Sequence, residues 1–509
     1  MLDLSAVTAA LAILGSSWIA WVYLIPGLLI GLIFGAMPGI SITMAMAIFL
    51  PLTLYMDFLP AIIFLTSIYT GAGFGGSVPA ILMNIPGTSS AVATTFDGYP
   101  MALQGRHNQA LGVALAASVV GTLSSYVLLL FLIAPVSAVV LKIGPLEMFA
   151  IAIWGMMLLG ALAGTSIWRG LLAGVFGVLL GTVGMNTAGF VRGTMGIPWL
   201  LDGVPTIPAM MGLLAASQLL NLINTHYLIA DEENREISFG RIVEGLRLAF
   251  RYPTIIARGA TIGVLIGAVP GVGSSISNLI SYAETRRNAP DSETFGKGNP
   301  KGVIAAEAAN SSSEGGAMAT MLALGIPGGG ATAILLAAFA MHNIVGGPRF
   351  ISQNKDIVYA IIFSNFAQAI LLLFVGLAFV FAASAIVRVP LRFLIPTVLV
   401  VSAFGSYAIQ GSLSGPITLF VFAVLGWAMV RYHYPVAATV VGLLLGGLLE
   451  DNLLRTWQIS RGSPSYLLER PGAILIFALM ALSIVLTAWS RRRRKRRAAA
   501  ETMPAEVGS

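Results

Sequence analysis

The feature that most constrains this chain is the length of its uncharged apolar stretches. No acidic or basic residue occurs between Asp3 and Asp57, or between Asp57 and Asp97. Hydrophobic residues make up 57% of the 509 residues and charged residues only 10%, whereas a soluble domain carries about 25% charged residues. Since a soluble fold cannot bury this much apolar surface, the sequence predicts a polytopic α-helical membrane protein.

Apolar stretches long enough for a membrane helix, roughly 20 residues each, recur along the whole chain. Several of them are short or are interrupted by Pro and Gly. We therefore predict an all-α fold with about a dozen transmembrane helices, together with some broken or re-entrant helices. The chain has no cysteine, which excludes disulfides, thiolate catalysis and cysteine-based metal sites.

Charged residues gather in two segments, one in mid-chain and one at the C-terminal end. The first mixes acidic residues with arginines, and Ile242, Leu246 and Phe250 give it an apolar stripe, which favours a helix in the membrane interface. The second begins RRRRKRR directly after the last apolar stretch. A basic run can bind nucleic acid, but this position is typical of a cytoplasmic anchor, so we expect a cytoplasmic C-terminus and no nucleic-acid partner. The predicted domains are a membrane half at 1–230, an amphipathic connector at 231–258, a second membrane half at 259–490 and a basic tail at 491–509.

Two Pro-Gly motifs occur in both halves. Residues 31–39 read GLIFGAMPG and residues 263–271 read GVLIGAVPG, an offset of 232 residues from 31 to 263. The tripeptide Ile-Pro-Gly at 85–87 recurs at 326–328, an offset of 241 residues from 85 to 326. Two different motifs in the same order and at similar spacing predict an internal duplication, and we expect the halves to be inverted repeats.

Each Pro-Gly motif predicts a break in a membrane helix, because Pro removes a backbone donor and Gly tolerates unusual dihedral angles. Paired breaks in two halves are a pointer to a transporter substrate site near the midplane. Freed helix N-termini attract anions, so we expect these breaks to bind a small carboxylate. The predicted substrate-binding residues are Gly39, Ser41, Asn84, Pro86, Gly87, Thr88, Ser89, Ser90, Gly271, Gly273, Ser274, Ser275, Pro327, Gly328 and Gly329.

The hydroxyl residues Thr88, Ser89 and Ser90 follow the first Ile-Pro-Gly motif. Ser and Thr are good N-caps, so a helix is expected to restart here. Two interpretations stay open: the hydroxyls only cap a kinked helix, or they also bind the carboxylate. Asn84 likewise either contacts the ligand or only holds backbone. Asp97, in FDGYP, predicts a turn.

The second half carries ionisable residues inside an apolar stretch. Glu307, Asn310 and Glu314 are spaced i, i+3 and i+7 and share one helical face. Ionisable groups in a membrane segment are costly and usually functional. We predict that Glu307, assisted by Asn310 and Asn84, couples transport to Na⁺ or a proton; the alternative is that Glu307 lies at the interface and is solvated. Glu314 would repel an anionic substrate unless it is protonated, paired with a cation or turned away.

Together these motifs resemble the large membrane subunit of the tripartite tricarboxylate transporter family. The resemblance covers roughly residues 20 to 480, with the motifs in the family's order. The residues that carry it are 31–53, 67–87, 94–112, 263–287, 295–298, 302–310 and 322–330.

The resemblance implies a secondary transporter of the bacterial inner membrane. Its members receive a carboxylate from a periplasmic solute-binding protein, act beside a small four-helix membrane subunit and are driven by a Na⁺ or H⁺ gradient. It implies a transport core at Pro38-Gly39, Asn84–Ser90, Pro270–Ser275 and Glu307–Gly328, without itself assigning substrate contacts. No cofactor is expected other than Na⁺ as a coupling ion.

The chain departs from the family pattern beside this core. Where the family typically shows EAANNAA, this chain has EAANSSSEGG, which adds Glu314 and extra serines. The substrate can therefore be a tri- or a dicarboxylate. The competing functions are an ion channel and an uncoupled carboxylate permease; an enzyme is not expected, because no acid, base or nucleophile constellation is visible.

Overall fold

The computed structural model describes residues 3–37, 41–84, 86–140, 144–162, 167–186, 189–217, 220, 238–269, 273–386 and 391–482. Helices dominate these residues, and the described strands are a short antiparallel pair, β1 (Gly184–Met185) and β2 (Val191–Arg192). The predicted all-α class is therefore confirmed. The basic tail at 491–509 and the start of the connector at 231–237 lie outside the described residues.

The helices of the first half are short where Pro and Gly interrupt the apolar sequence. They are α1 (Leu4–Ser16), α2 (Trp18–Gly35), α3 (Ile42–Phe49), α4 (Phe58–Gly75), α5 (Ser77–Met83), α6 (Val92–Leu103), α7 (His107–Val140), α8 (Pro145–Leu162), α9 (Ile167–Gly181) and α10 (Thr206–Met211), with 3₁₀ turns at Leu50–Tyr55, Ser89–Ala91 and Pro198–Leu200 and a π-helical turn at Gly212–Ala216.

The second half begins with the connector helix and contains the most polar long helix, α14. Its helices are α11 (Phe239–Ala249), α12 (Pro253–Gly267), α13 (Gly273–Asn288), α14 (Pro300–Leu324), α15 (Gly330–Met341), α16 (Pro348–Gln353), α17 (Lys355–Ile386), α18 (Leu391–Gln410), α19 (Ser414–Arg431), α20 (Val436–Ser460) and α21 (Pro471–Leu482), with 3₁₀ turns at Ser292–Thr294 and Pro464–Leu467.

Five of the described helical segments are long and apolar enough to cross a membrane. They are Trp18–Gly35, Phe58–Met83, His107–Pro135, Lys355–Phe381 and Ser414–Arg431. Seven further apolar helices of 10–17 residues are shorter than a full crossing. The structure therefore supports a multi-pass membrane protein, and the count of a dozen crossings stays a prediction.

Glycines let α2 lie directly against α4. A Cβ atom on any of three α2 glycines would overlap the backbone of α4, so only Gly permits this approach. The contacts join Gly27 to Phe64, Gly31 to Ile68 and Gly35 to Ala72. A glycine of α4 makes the same kind of contact in the other direction, because Gly75 lies on the backbone of Leu32 in α2.

The same arrangement recurs between α12 and α14. Here the contacts join Gly259 to Ala305, Gly263 to Ala309 and Gly267 to Ser313, while Gly316 lies on the backbone of Val264. Every α2 residue named above corresponds to its α12 counterpart at an offset of 232, and every α4 residue to its α14 counterpart at 241. These are the offsets of the two sequence motifs.

The connector forms a helix, as its apolar stripe predicts, but the buried face differs from that stripe. Ile242, Gly245 and Ala249 of α11 are buried, and the backbone of α11 touches that of α7 because Gly112 and Gly245 have no side chain there. Phe250, which the pattern placed in the stripe, is exposed. The position of this helix relative to a membrane interface stays a prediction.

The chain divides into two compact units, residues 1–142 with 155–447, and residues 143–154 with 448–509. All four Pro-Gly motifs belong to the first unit. In the second unit Arg470 donates two hydrogen bonds to Glu147, from Nε to Oε1 at 2.8 Å and from one terminal nitrogen to Oε2 at 3.0 Å.

Candidate functional site

Each Pro-Gly motif coincides with an interruption between helices. We name these the first PG break (residues 36–41), the first IPG break (84–88), the second PG break (268–272) and the second IPG break (325–329). Pro38, Gly39, Ile85, Pro270 and Gly271 lie outside the described residues, so the breaks are defined by the helix ends that flank them.

The two IPG breaks begin with the same backbone conformation. Asn84 ends α5 with a φ of 58°, and Gly325 ends α14 with a φ of 69°. Both lie in the left-handed region, where Gly and Asn are the residues most easily accommodated. In each half this residue directly precedes Ile-Pro-Gly.

Within each half, the IPG break lies against the end of the helix that leads into the PG break. Gly87 packs on the carbonyl of Gly35 at the end of α2, and its N–H donates to the carbonyl of Gly76 at 3.1 Å. Gly328 packs in the same way against the carbonyl of Gly267 at the end of α12. The two breaks of one half are therefore neighbours.

Between the halves, the helix that follows each PG break meets the chain that follows the opposite IPG break. The amide nitrogen of Asn278 in α13 donates to the carbonyl of Ser90 after the first IPG break. Gly330, the first residue of α15, lies against the Thr43 side chain in α3. The four breaks and the residues that directly follow them thus form one closed set of contacts, the break cluster, at which α3, α13 and α15 begin and the Ser89–Ala91 turn leads into α6.

The break cluster brings together most of the predicted substrate-binding residues. Gly39 and Gly271 fall outside the described residues, and Ser275 is described only as a position within α13. The predicted residues that the structure places at the cluster are Ser41, Asn84, Pro86, Gly87, Thr88, Ser89, Ser90, Gly273, Ser274, Pro327, Gly328 and Gly329. Their contact with a substrate stays a prediction.

The hydroxyl groups at the cluster have different roles. The chain returns to helix at Ser89, as predicted, but Thr88 does not cap it, because its hydroxyl pairs with that of Ser90 at 2.8 Å. Ser41 caps α3 by accepting from the N–H of Met44 at 3.1 Å. Ser89 is exposed.

Asn278 is a buried residue of the cluster that sequence reasoning missed. Its Nδ2 donates to the Ser90 carbonyl, which fixes the orientation of the amide because the opposite orientation would place two oxygens together. Its Oδ1 is buried and has no hydrogen-bond partner among the described residues. An unpaired buried oxygen of this kind is the natural partner of a cation or a hydroxyl donor.

Glu307 is completely buried, which rules out the interpretation that it is solvated at the membrane surface. Its Oε1 accepts from Ser77 Oγ at 2.6 Å and from the Thr94 hydroxyl, and its Oε2 accepts from Ser118 Oγ at 3.0 Å. These three donors come from α5, α6 and α7 of the first half. The carboxylate therefore joins α14 to three helices through hydroxyl groups, and Asn310 of α14 itself is a further hydrogen-bond partner.

The two asparagines predicted to assist Glu307 lie in different surroundings. Asn310 is buried one turn along α14, and its Nδ2 donates to the carbonyl of Gly73 in α4 at 3.1 Å. Asn84 is exposed at the end of α5 and makes no hydrogen bond to Glu307 or Asn310 within the described part of the chain. The structure thus brings Asn310, but not Asn84, into the surroundings of Glu307.

Glu314 is buried on α14, two helical turns after Glu307. Its Oε1 accepts from Thr70 Oγ1 and from the hydroxyl of Tyr126, each at 2.8 Å. Thr70 Oγ1 is also 3.4 Å from Oε1 of Gln368 in α17. The sequence left three ways for Glu314 to avoid repelling a substrate: protonation, pairing with a cation, or turning away. The structure shows Glu314 turned away, into the core between α4 and α7.

Asp97 lies within α6 and not in a turn, because Pro100 is accommodated in the helix. Its Oδ1 accepts from the backbone N–H groups of Gly296, Gly298 and Asn299 at 2.8, 2.9 and 2.8 Å, and its Oδ2 accepts from the hydroxyl of Tyr282 at 3.0 Å. The carboxylate therefore holds the loop that leads into α14.

Comparison with known proteins identifies the family. The model of the tripartite tricarboxylate transporter TctA family matches residues 21–441. An Agrobacterium vitis protein, named as an uncharacterised 52.8 kDa protein in the TAR-I ttuC' 3' region, is 32% identical over 483 residues, 94% of each chain. A second protein of that organism, from the TAR-II ttuC' 3' region, is 28% identical over 234 residues, 46% of this chain and 97% of its own length. No solved structure matches. The chain belongs to the tripartite tricarboxylate transporter TctA family.

Proposed function

We propose, from the chain's membership of this family, that it is the large membrane subunit of a binding-protein-dependent secondary transporter. It imports a small tri- or dicarboxylate across the bacterial inner membrane and couples the uptake to a Na⁺ or H⁺ gradient. The observation that carries the proposal is the break cluster, in which the interrupted helices of both halves meet. Broken backbone inside a membrane protein is typical of a transporter substrate site.

The cluster suits a carboxylate because several helices start there. The first N–H groups of a helix have no partner within it and carry a partial positive charge. Gly329, directly before α15, has no side chain to cover these groups, and the hydroxyl of Thr332 bonds to its N–H at 3.0 Å. The exposed Ser89 marks the corresponding start in the first half. We place the substrate between these two helix starts.

The recurrence of the glycine contacts supports the duplication. Five backbone contacts of the first half recur in the second with both offsets kept, including Gly87 on Gly35 and Gly328 on Gly267. Contacts between the same positions require the same helix pairing in each half. We propose that the halves are inverted repeats and that movement of one against the other alternates access to the site.

Glu307 is the proposed coupling residue. A buried carboxylate is costly unless it is paired or neutralised, and the side-chain donors described around Glu307 are all neutral: the hydroxyls of Ser77, Thr94 and Ser118 and the amide of Asn310. Binding of Na⁺ or a proton would remove this cost.

The partners are proposed from the family. They are a periplasmic solute-binding protein that delivers the carboxylate and a small four-helix membrane subunit. The cytoplasmic side for the C-terminus is proposed from the positive-inside pattern of residues 491–497.

The test is uptake into proteoliposomes that contain this chain with its small subunit and binding protein. Labelled citrate and succinate serve as probes, under a Na⁺ gradient, a pH gradient, both or neither. We expect saturable accumulation that requires at least one gradient. Accumulation that is independent of both gradients would contradict the proposed ion coupling, and non-saturating flux would favour an ion channel instead of a transporter.

A second experiment tests the site. We expect the double variant Ser89→Ala with Ser90→Ala to lose at least ten-fold in kcat/KM, since it removes hydroxyls from one helix start. Thr261→Ala is the matched control, because that hydroxyl is exposed on α12 and bonds to its own helix. Equal uptake by the double variant and the control would place the substrate elsewhere.

A further inference from the structure

Glu314 lies in a polar pocket of its own, separate from the break cluster and from Glu307. The pocket is formed by Thr70 on α4, Tyr126 on α7 and Gln368 on α17, and all of these side chains are buried. Two hydroxyl groups donate to one carboxylate oxygen, each at 2.8 Å. Hydroxyl donors are neutral, and no Lys or Arg side chain in the described structure donates to Glu314, so the pocket supplies hydrogen bonds but no opposite charge.

Thr70 stands between two acceptors. Its Oγ1 is 2.8 Å from Glu314 Oε1 and 3.4 Å from Gln368 Oε1, and a hydroxyl has one proton to donate and can accept as well. The amide nitrogen of Gln368 is held by Thr66 Oγ1 at 2.9 Å. This bond turns the Gln368 oxygen toward Thr70.

The hydrogen bonds at Glu314 Oε1 can therefore be completed in both protonation states. In the charged state Thr70 and Tyr126 donate to the carboxylate. In the neutral state the carboxylic acid donates its proton to Thr70 Oγ1, and Thr70 turns its own proton to Gln368 Oε1. A site whose hydrogen bonds can be completed with and without a proton is what reversible proton binding requires.

We propose that Glu314 is a proton-binding site, distinct from Glu307, that gives this transporter a second coupling ion. The inference rests on the proposed function, since a bound proton is carried only if the chain transports. The proton comes from water outside the membrane, converts the carboxylate to the neutral acid and leaves as hydronium on the other side.

Few other titratable groups face this pocket. Tyr69 on α4 and Tyr126 on α7 are the ones whose electrostatic interaction with Glu314 is described. Glu307 lies two turns away on α14, roughly 10 Å along the axis. The other ionisable residues of α4, α7, α12, α14 and α17 are His107 of α7, Arg258 of α12, Lys301 of α14, and Lys355, Asp356 and Tyr359 of α17.

The first experiment needs neither substrate nor partners. Infrared spectra of the full chain in lipid nanodiscs, titrated with pH, distinguish a protonated carboxyl group from a carboxylate by the C=O stretch. We expect Glu314→Gln to remove one titrating carboxyl signal, and Glu307→Gln, the matched control on the same helix, to leave that signal in place. A Glu314→Gln spectrum that titrates like the wild type would overturn the proposal.

Two further variants keep Glu314 and move its titration in opposite directions. Tyr126→Phe removes a donor to the charged form, so the midpoint of the Glu314 signal should rise by about one pH unit. Gln368→Leu removes the acceptor that completes the neutral form, so the midpoint should fall by a similar amount. Midpoints that stay unchanged, or that shift in the same direction, would overturn the proposed exchange at Thr70.

A transport experiment measures how many protons move with each substrate molecule. Proteoliposomes with an internal pH dye, a fixed Na⁺ gradient and labelled citrate or succinate give the number of protons moved per substrate. Glu314→Gln should lower that number by one and leave substrate uptake measurable. If the wild type fails to transport but its Glu314 signal titrates, the proposed function fails and the proton site stands; an unchanged proton count in Glu314→Gln refutes the coupling role.

Discussion

Replacement of Asp97 by Ala should destabilise the whole chain, although this residue is not among the proposed substrate-binding or ion-binding residues. Its carboxylate accepts three backbone N–H groups of the loop before α14 and the hydroxyl of Tyr282. Two of these N–H groups, on Gly298 and Asn299, are in buried hydrogen bonds. The alanine variant leaves these donors without a partner at the start of a long helix.

The magnitude follows from the donors that lose their acceptor. A buried donor left unpaired costs about 1–3 kcal/mol, so the two buried N–H groups alone predict a loss of roughly 2–6 kcal/mol in the free energy of unfolding. The bond to Gly296 is only part-buried, and water can replace its acceptor. Asp97→Asn keeps one acceptor oxygen and should lose less.

The measurement is unfolding of the full chain in mixed micelles by titration with a denaturing detergent. Asp291→Ala is the control, because Asp291 belongs to the same loop but is itself partly exposed and contacts side chains, Lys301 at 2.8 Å and Asn299 at 3.0 Å. Water can replace part of these contacts, and an ion pair near the surface contributes about 0–1 kcal/mol. If Asp97→Ala is no less stable than Asp291→Ala, the loop is not held by the Asp97 carboxylate and our reasoning is refuted.

Three further predictions concern helix packing and the proposed sites. Gly75→Ala should destabilise the chain by about 1–3 kcal/mol because its Cβ would overlap α2, whereas Gly73→Ala, with open space beside it, should be neutral or gain about 0.5–1 kcal/mol of unfolding free energy; detergent titration compares them. Ser77→Ala removes one donor to Glu307 and should change the ion concentration for half-maximal uptake at least three-fold, while uptake at saturating ion persists. Asn278→Ala removes the amide that holds the backbone carbonyl of Ser90 and should therefore raise the KM for the carboxylate at least ten-fold in proteoliposome uptake; an unchanged KM would remove this residue from the site.

The sequence predicted the breaks well because their cause is local. Pro and Gly act on the backbone of their own turn, so the interruptions at 36–41 and 325–329 could be read directly. The turn expected at Asp97 was wrong. Pro100 lies inside the short helix α6 and does not end it, so Asp97 stays helical. The predicted apolar stripe through Phe250 was wrong because α11 packs on the start of α7. There Gly112 and Gly245 allow the two backbones to touch, which buries the face that contains Gly245.

The donors to Glu307 could not be predicted. Ser77, Thr94 and Ser118 are separated from Glu307 by 230, 213 and 189 residues. A single hydroxyl residue in an apolar helix forms no sequence pattern that would identify its partner. The same holds for Thr70 and Tyr126 around Glu314. A signal that could have found them is the presence of isolated polar side chains inside predicted membrane helices, each of which needs a partner.

By itself, the sequence determined that this chain lives in a membrane, that its helices are interrupted at four places, and that two of the ionisable residues share one face of α14. These properties depend on apolar content, Pro and Gly chemistry and helical spacing, all of which act over a few turns. Only the tertiary structure decided that the four breaks meet, that Glu307 and Glu314 lie in separate hydroxyl-lined pockets, and that Asp97 holds the loop before α14. Those contacts join helices of different halves, and their geometry depends on how closely glycine lets the helices approach.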